Sequence, residues 1–323
     1  MRVVGTAAGI TLHAPEDAYF SYFNSPYIGH DLGSAIDIYP SHQEWGAAVV
    51  APTSGKVVKI RRMRMGRPKE FPTHDFDFAI GIQSSESDNN IVRVMHSEPT
   101  VSVGNRVDVG DQIGKAIRSR YFNYWTGAHY HVEVMALDSF ERSSRSCPLD
   151  LEYQYTSRKT GSPREEVEFL VQSVTVDNII GYPKGLDHAA IRDLTGVAAV
   201  DMQRSKVGIL EGGLSHYRLG GVVGTEQLQV GEQIGFGNVV TGTVRETRKS
   251  VSVFERGPHI SSYLDGREIR GLSCFIYPKN FTKKKIPQLI LIPKNYGELR
   301  GVINEGDICQ LQIQQSNNTV IAE

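Results

Sequence analysis

The stretch Gly127-Ala128-His129-Tyr130-His131-Val132-Glu133-Val134 decides how this chain is read. Side chains two apart on an extended strand share a face. His129, His131 and Glu133 therefore line one face, and Tyr130, Val132 and Val134 line the other, which suits a core. Two neighbouring imidazoles can offer lone pairs to one divalent metal. An isolated His-x-His is more often two surface histidines, so its meaning depends on what the rest of the chain supplies.

Upstream lies Gly29-His30-Asp31-Leu32-Gly33-Ser34-Ala35-Ile36-Asp37, where a histidine and a carboxylate flank a glycine-containing turn before an apolar strand start. Both residue types are common Zn²⁺ ligands. Alone, the pair reads more readily as a turn cap and a local hydrogen bond than as a ligand pair. His96 ends an alternating strand, Ile91–Met95, and strand-end histidines commonly bond a carbonyl. Combination and order raise the value of each signal. His30 and Asp37 are followed by Ala51-Pro52-Thr53-Ser54-Gly55-Lys56-Val57, then His96. Val103-Gly104-Asn105-Arg106-Val107-Asp108-Val109-Gly110-Asp111-Gln112-Ile113-Gly114 comes next, and last the His129–His131 strand.

In this order the chain resembles the M23 metallopeptidases, the lysostaphin and LytM family of zinc endopeptidases, over roughly residues 28–136, with a few residues of slack at either end. The resemblance implies an antiparallel, barrel-like β domain with its site in a groove across one sheet. It implies His30, Asp37 and His131 as Zn²⁺ ligands, with His96 and His129 as catalytic histidines beside a metal-activated water. The chemistry is coherent. Three ligands leave one tetrahedral position open, the metal polarises a carbonyl and acidifies water, and histidines move protons near neutral pH. The implied substrate is a peptide or a peptidoglycan-like polymer.

One departure concerns the first motif. The family spaces its histidine and aspartate by four positions, whereas Asp37 lies seven after His30 and Gly33 stands at the family's histidine position. Either a longer loop returns His30 to the metal, or the first ligand is lost and the domain is a non-catalytic module that grips a polymer or partner. Asp31 is a possible substitute ligand. The Gly33-Ser34 turn favours His30. Ala128, where the family has proline, is a mild change.

The whole chain has 323 residues, 40% hydrophobic and 22% charged, with 35 basic and 36 acidic side chains. Its mean hydropathy is −0.28. That balance argues against a dedicated nucleic-acid or polybasic membrane protein, and no apolar run reaches the ~18 residues of a membrane span. The N-terminus does not read as a signal peptide. Cys147, Cys274 and Cys309 are odd in number and far apart, and form no disulfide framework. A cytoplasmic location with reduced thiols follows as the expectation.

The fold class expected is mainly β, with an N-terminal antiparallel barrel-sandwich domain and a second β-rich domain carrying one or two short helices. The boundaries are residues 1–152 for the first domain, 153–174 for a polar linker and short helix, and 175–323 for a β-rich domain of unread role. Ser162-Pro163-Arg164-Glu165 followed by Val167, Leu170 and Val171 predicts a helix over 163–173. A second helix is predicted over 187–194. Strands are predicted at, among others, Lys56–Ile60, Phe78–Ile82, Ser215–Leu219 and Val251–Phe254.

Other features read as ordinary. His74-Asp75-Phe76-Asp77 is a strand entrance, and Arg61–Lys69 and Lys283–Lys285 are solvated loops. Tyr121, Tyr124 and Trp125 belong either to the core or to a groove wall. A lipoyl-type or phosphotransfer carrier would need a lysine at a hairpin tip or histidines on separate strands, and His129–His131 on one strand fits metal better.

Overall fold

The computed structural model describes residues 1–41, 43–152, 157–159, 166–201, 207–224, 228–257, 260–282 and 286–315. These residues are mainly β. The chain divides into two compact units, Met1–Tyr22 with Tyr27–Leu151, and Phe23–Pro26 with Glu152–Glu323.

The first unit runs β1 (Arg2–Ala7), β2 (Ile10–Ala14), β3 (Tyr19–Ser21), α1 (Ile28–Asp31), β4 (Ala35–Tyr39), β5 (Ala48–Val50), β6 (Gly55–Arg64) and β7 (Phe76–Ser84). It continues through β8 (Asn90–Met95), β9 (Ser97–Pro99), β10 (Arg106–Val107), β11 (Gln112–Ala116) and β12 (Tyr130–Ala136). Seven of these strands form one antiparallel sheet in the order β10-β6-β7-β8-β12-β4-β3. A three-stranded sheet, β5-β11-β9, and the β1-β2 hairpin accompany it.

The strand β12 lies between β8 and β4, with His131 opposite both Met95 and Asp37. Tyr130, Val132 and Val134 are buried on one face. Each such side chain contributes roughly 1.5–3 kcal/mol by leaving water. The other face carries His131 and Glu133, also buried. Directly opposed residues of an antiparallel pair point the same way, so Asp37, His131, Met95 and Ala79 share that face.

Four expectations are corrected. Residues 166–174 form a β-strand, not a helix, with Val167, Phe169 and Val171 buried at every second position. The capping signal Ser162–Glu165 lies outside the described residues, as do most of the polar linker and Lys283–Lys285. His188–Ile191 is a strand paired with Leu194–Asp201, not part of a helix. Ser215–Leu219 is not a strand but chiefly the turn joining strands Val207–Leu214 and Leu219–Val223, with Ser215 at φ 70°. The basic run after Ile60 also differs from expectation, since β6 continues through Arg64.

Among the described residues of the second unit, sixteen strands are joined by antiparallel pairing. Its core includes Phe169, Leu210, Phe254, Leu272, Leu291 and Leu311.

Candidate functional site

The extra residues between His30 and Asp37 form a tight local structure. α1 is a single turn, closed by Leu32 N–H donating to Ile28 O (2.9 Å) and Ser34 N–H donating to Gly29 O (2.8 Å). Gly33 follows at φ 61°, the left-handed conformation that ends a helical turn at least cost to glycine. The chain then reverses into β4, and His30 faces Asp37 across this turn.

The structure brings three predicted ligands together. His30 Nε2 lies 3.2 Å from Asp37 Oδ1 and 3.2 Å from His131 Nδ1, and His131 Nδ1 lies 2.7 Å from Asp37 Oδ1. One ligand atom from each residue falls within 4.8 Å of the others. Two ligands at ~2.0–2.1 Å on a tetrahedral zinc stand about 3.3 Å apart. The two edges at His30 match that spacing, the third is a 2.7 Å hydrogen bond that a bound ion would open, and the donor set of two imidazoles and a carboxylate fits zinc. Asp31 is not in this group.

Hydrogen bonds fix which nitrogen of each histidine faces the site. His30 Nδ1 lies 2.7 Å from the Tyr22 carbonyl, so Nδ1 carries the proton and Nε2 is bare. His131 lies between two carboxylates, Nδ1 2.7 Å from Asp37 Oδ1 and Nε2 3.5 Å from Glu133 Oε2, so in the metal-free chain it donates to Asp37 through Nδ1 and keeps its second proton towards Glu133. Such outer partners orient metal-binding imidazoles. Three potential ligand atoms thus converge, held in the metal-free chain by the proton that His131 Nδ1 donates to Asp37, whose place a cation would take.

Glu133 is anchored in turn. It forms a buried ion pair with Arg93. Arg93 also donates to the Phe140 carbonyl (2.7 Å), and Ser146 Oγ donates to Glu133 Oε1 (3.1 Å). Gly29 belongs to this arrangement, since a Cβ there would stand 2.4 Å from Glu133 Oε1. Glu133 is a member that sequence reading left without a role.

His129 and His96 flank the three-atom group. His129 Nδ1 bonds the Gly127 carbonyl at 2.9 Å, which leaves Nε2 bare, 3.6 Å from Asp37 Oδ1. The His96 and His129 rings stand 5.5 Å apart in an edge-on arrangement. Phe122 packs on both, at 4.5 Å from His96 and 5.1 Å from His129. Tyr121 stands 5.1 Å from His96, while Tyr124 is buried. His96 Nδ1 lies 2.6 Å from Asp77 Oδ2. Asp77 was read as part of a strand entrance; it is fully buried against His96.

The five histidine and aspartate side chains are between 1% and 8% exposed. Burial would raise the Asp37 carboxyl, but the imidazoles of His30, His129 and His131 packed around it hold it well below the usual carboxylate range. Burial pushes His129 down to about 4 and keeps it neutral. His131 goes the other way, to about 9, because Glu133 and Asp37 outweigh its burial. Glu133, despite burial, falls to about 2 beside His131 and Arg93.

Residues 11–151 match one family model. It describes the N-terminal domain of a domain of unknown function, DUF8155. The match spans every candidate site residue. No curated protein matches the chain. Among solved structures, a catalytic-domain variant of the prophage-encoded M23 protein EnpA from Enterococcus faecalis is similar at 17% identity, over 42% of this chain and 91% of that one, with a TM-score of 0.29. The solution structure of lysostaphin is similar at 15% identity, over 78% of this chain and 99% of that one, with a TM-score of 0.28. Likenesses this weak carry no weight for the chemistry of this chain.

Proposed function

We propose that the first unit is a zinc-dependent peptide hydrolase. His30 Nε2, Asp37 Oδ1 and His131 Nδ1 hold the metal, and His96 and His129 act beside it. The observation that supports this reading best is the convergence of three potential ligand atoms with edges of 3.2, 3.2 and 2.7 Å. A divalent zinc bound there would polarise a scissile carbonyl and acidify water. The chain's own residues do the rest. Asp37 supplies the negative charge, while Tyr22 O and Glu133 fix the ligating imidazoles. His129 and His96 present bare nitrogens that accept a proton during attack and return it to the leaving amine. Peptide as the substrate class rests on the ordered motifs shared with the M23 family, and a peptidoglycan-like peptide is its specific form.

The test pairs metal analysis of the purified chain with mass spectrometry of cross-linked cell-wall peptides after incubation. One zinc per chain, and cleavage that a chelator stops, are expected. A folded chain that takes up no zinc ends the reading. A chain that holds zinc and cleaves nothing is the binding module instead.

A further inference from the structure

The two histidines that flank the metal group differ in what holds them. His129 leans on a backbone carbonyl. His96 leans on a buried carboxylate, and its backbone is bent to reach it. In the β7–β8 pairing Ala79 lies opposite Met95. Asp77, two residues before Ala79, therefore points to the same face as Met95, and a regular strand would turn His96 to the opposite face. His96 instead adopts φ 64°, a left-handed conformation that costs a residue with a Cβ roughly 1–3 kcal/mol. This break in alternation brings the imidazole round to Asp77. The backbone there is pinned by His96 N–H donating to Phe78 O (3.1 Å) and Ile117 N–H donating to His96 O (3.0 Å).

Asp77 is itself oriented. Its Oδ1 accepts from the Phe78 N–H at 2.7 Å, and its Oδ2 accepts from Ser119 Oγ at 2.8 Å as well as from His96. Ser119 and Asp77 are fully buried. Burial opposes the carboxylate, yet the His96 charge and these hydrogen bonds hold Asp77 below the usual range.

We propose that Asp77, steadied by Ser119, is a positioning residue that fixes His96 in the Nδ1–H tautomer and so keeps the Nε2 lone pair turned away from Asp77 and available to the site. The inference rests on the hydrolase reading for its catalytic consequence, but the tautomer is a property of the chain alone. When Nε2 takes a proton from water, the O–H electron pair stays on oxygen and the resulting imidazolium lies against the Asp77 carboxylate. A carboxylate stabilises that cation better than a neutral carbonyl does.

The substitution Asp77→Asn reads this directly. The Phe78 N–H is a fixed donor, so the amide oxygen must take the Oδ1 position and the NH₂ must face His96. His96 Nδ1 then becomes the acceptor, and the proton moves to Nε2. Imidazole ¹⁵N NMR of the full chain, with the His96 signals assigned by a His96→Gln variant, should show Nδ1–H in the wild type and Nε2–H in Asp77→Asn. Zinc content should be unchanged, because Asp77 supplies no ligand. The turnover number on cleaved peptides should fall by ~10²–10⁴ with KM nearly constant. Ser119→Ala should give a smaller loss in the same direction.

A wild-type His96 protonated on Nε2, or an Asp77→Asn spectrum identical to wild type, overturns the proposal. A wild type with the Nδ1–H tautomer that cleaves no peptide ends the hydrolase reading and leaves Asp77's hold on His96 standing.

Discussion

Removing His131 and removing His129 should have opposite effects on zinc, although the two side chains sit two residues apart on one strand. The difference lies in which nitrogen faces Asp37 Oδ1. His131 Nδ1 is 2.7 Å away and completes the triangle with His30. His129 Nε2 is 3.6 Å away and outside the triangle. Zinc that binds only the folded chain stabilises it by about 2.7 kcal/mol at a hundred times its dissociation constant. Each kcal/mol moves the melting temperature of a domain of this size by ~2–4 °C, so zinc should raise the first unit's transition by roughly 5–10 °C over chelated protein. His131→Ala leaves two ligands. A hundredfold loss of affinity alone brings the same zinc concentration down to one dissociation constant, where the stabilisation is about 0.4 kcal/mol and the shift about 1 °C. His129→Ala should keep the full shift while losing turnover by ~10²–10⁴. Differential scanning calorimetry with zinc and with chelator, beside metal analysis of each variant, measures both quantities. If His129→Ala loses the zinc shift and His131→Ala retains it, the two roles are reversed. If His30→Ala retains it, the first ligand is misassigned.

Arg93→Met strands the Glu133 carboxylate in a buried site, and breaking such a pair costs about 3–5 kcal/mol; urea unfolding of the zinc-free chain should register it, and a change under 1 kcal/mol would show that water or Ser146 compensates. Gly29→Ala places a Cβ 2.4 Å from Glu133 Oε1, so it should weaken zinc binding by ~10–100-fold through the displaced partner of His131, read by zinc titration against a competing chelator. In the second unit burial holds His216 down to about 3 from 6.5. A base with a lowered folded pKa takes up protons first in the unfolded chain. Stability should therefore fall as pH drops from 6.5 towards 3, by at most about 1.4 kcal/mol per pH unit from this group. His216→Gln should flatten that slope in urea unfolding of the second unit, and an unchanged slope would assign it to other groups.

The sequence revealed β12 because alternation survives at that strand. Tyr130, Val132 and Val134 go one way and His131 and Glu133 the other, whichever strands flank them. Alternation failed where two periods fit. Val167, Leu170 and Val171 match a helix face, and Val167, Phe169 and Val171 match a strand face. Pairing on both sides, with the adjacent Ile179–Lys184 and with Ile308–Gln315 more than a hundred residues away, selects the strand. Local propensity cannot see such a partner. Asp77 was hidden for a related reason. Its partner His96 is nineteen residues off, and strand parity alone would separate them. Only the left-handed turn at His96 joins them, and no residue type at that position announces it, since glycine is absent.

The spacing of His30 and Asp37 separates what a motif encodes from what the chemistry needs. Zinc requires that two donor atoms arrive about 3.3 Å apart, and it is indifferent to how many residues intervene. The three additional residues here amount to almost one turn of helix, which repeats every 3.6 residues. Winding the chain by one turn at α1 and unwinding it at Gly33 returns the backbone to the direction from which a shorter loop would approach. The Ser34 N–H and Oγ both close on the Gly29 carbonyl, at 2.8 and 3.0 Å, so the added turn satisfies its own polar groups. It also sets Gly29 against Glu133. The insertion therefore couples the first ligand's loop to the carboxylate behind the third ligand. Zinc affinity should then respond to Gly29→Ala even though no ligand atom is altered.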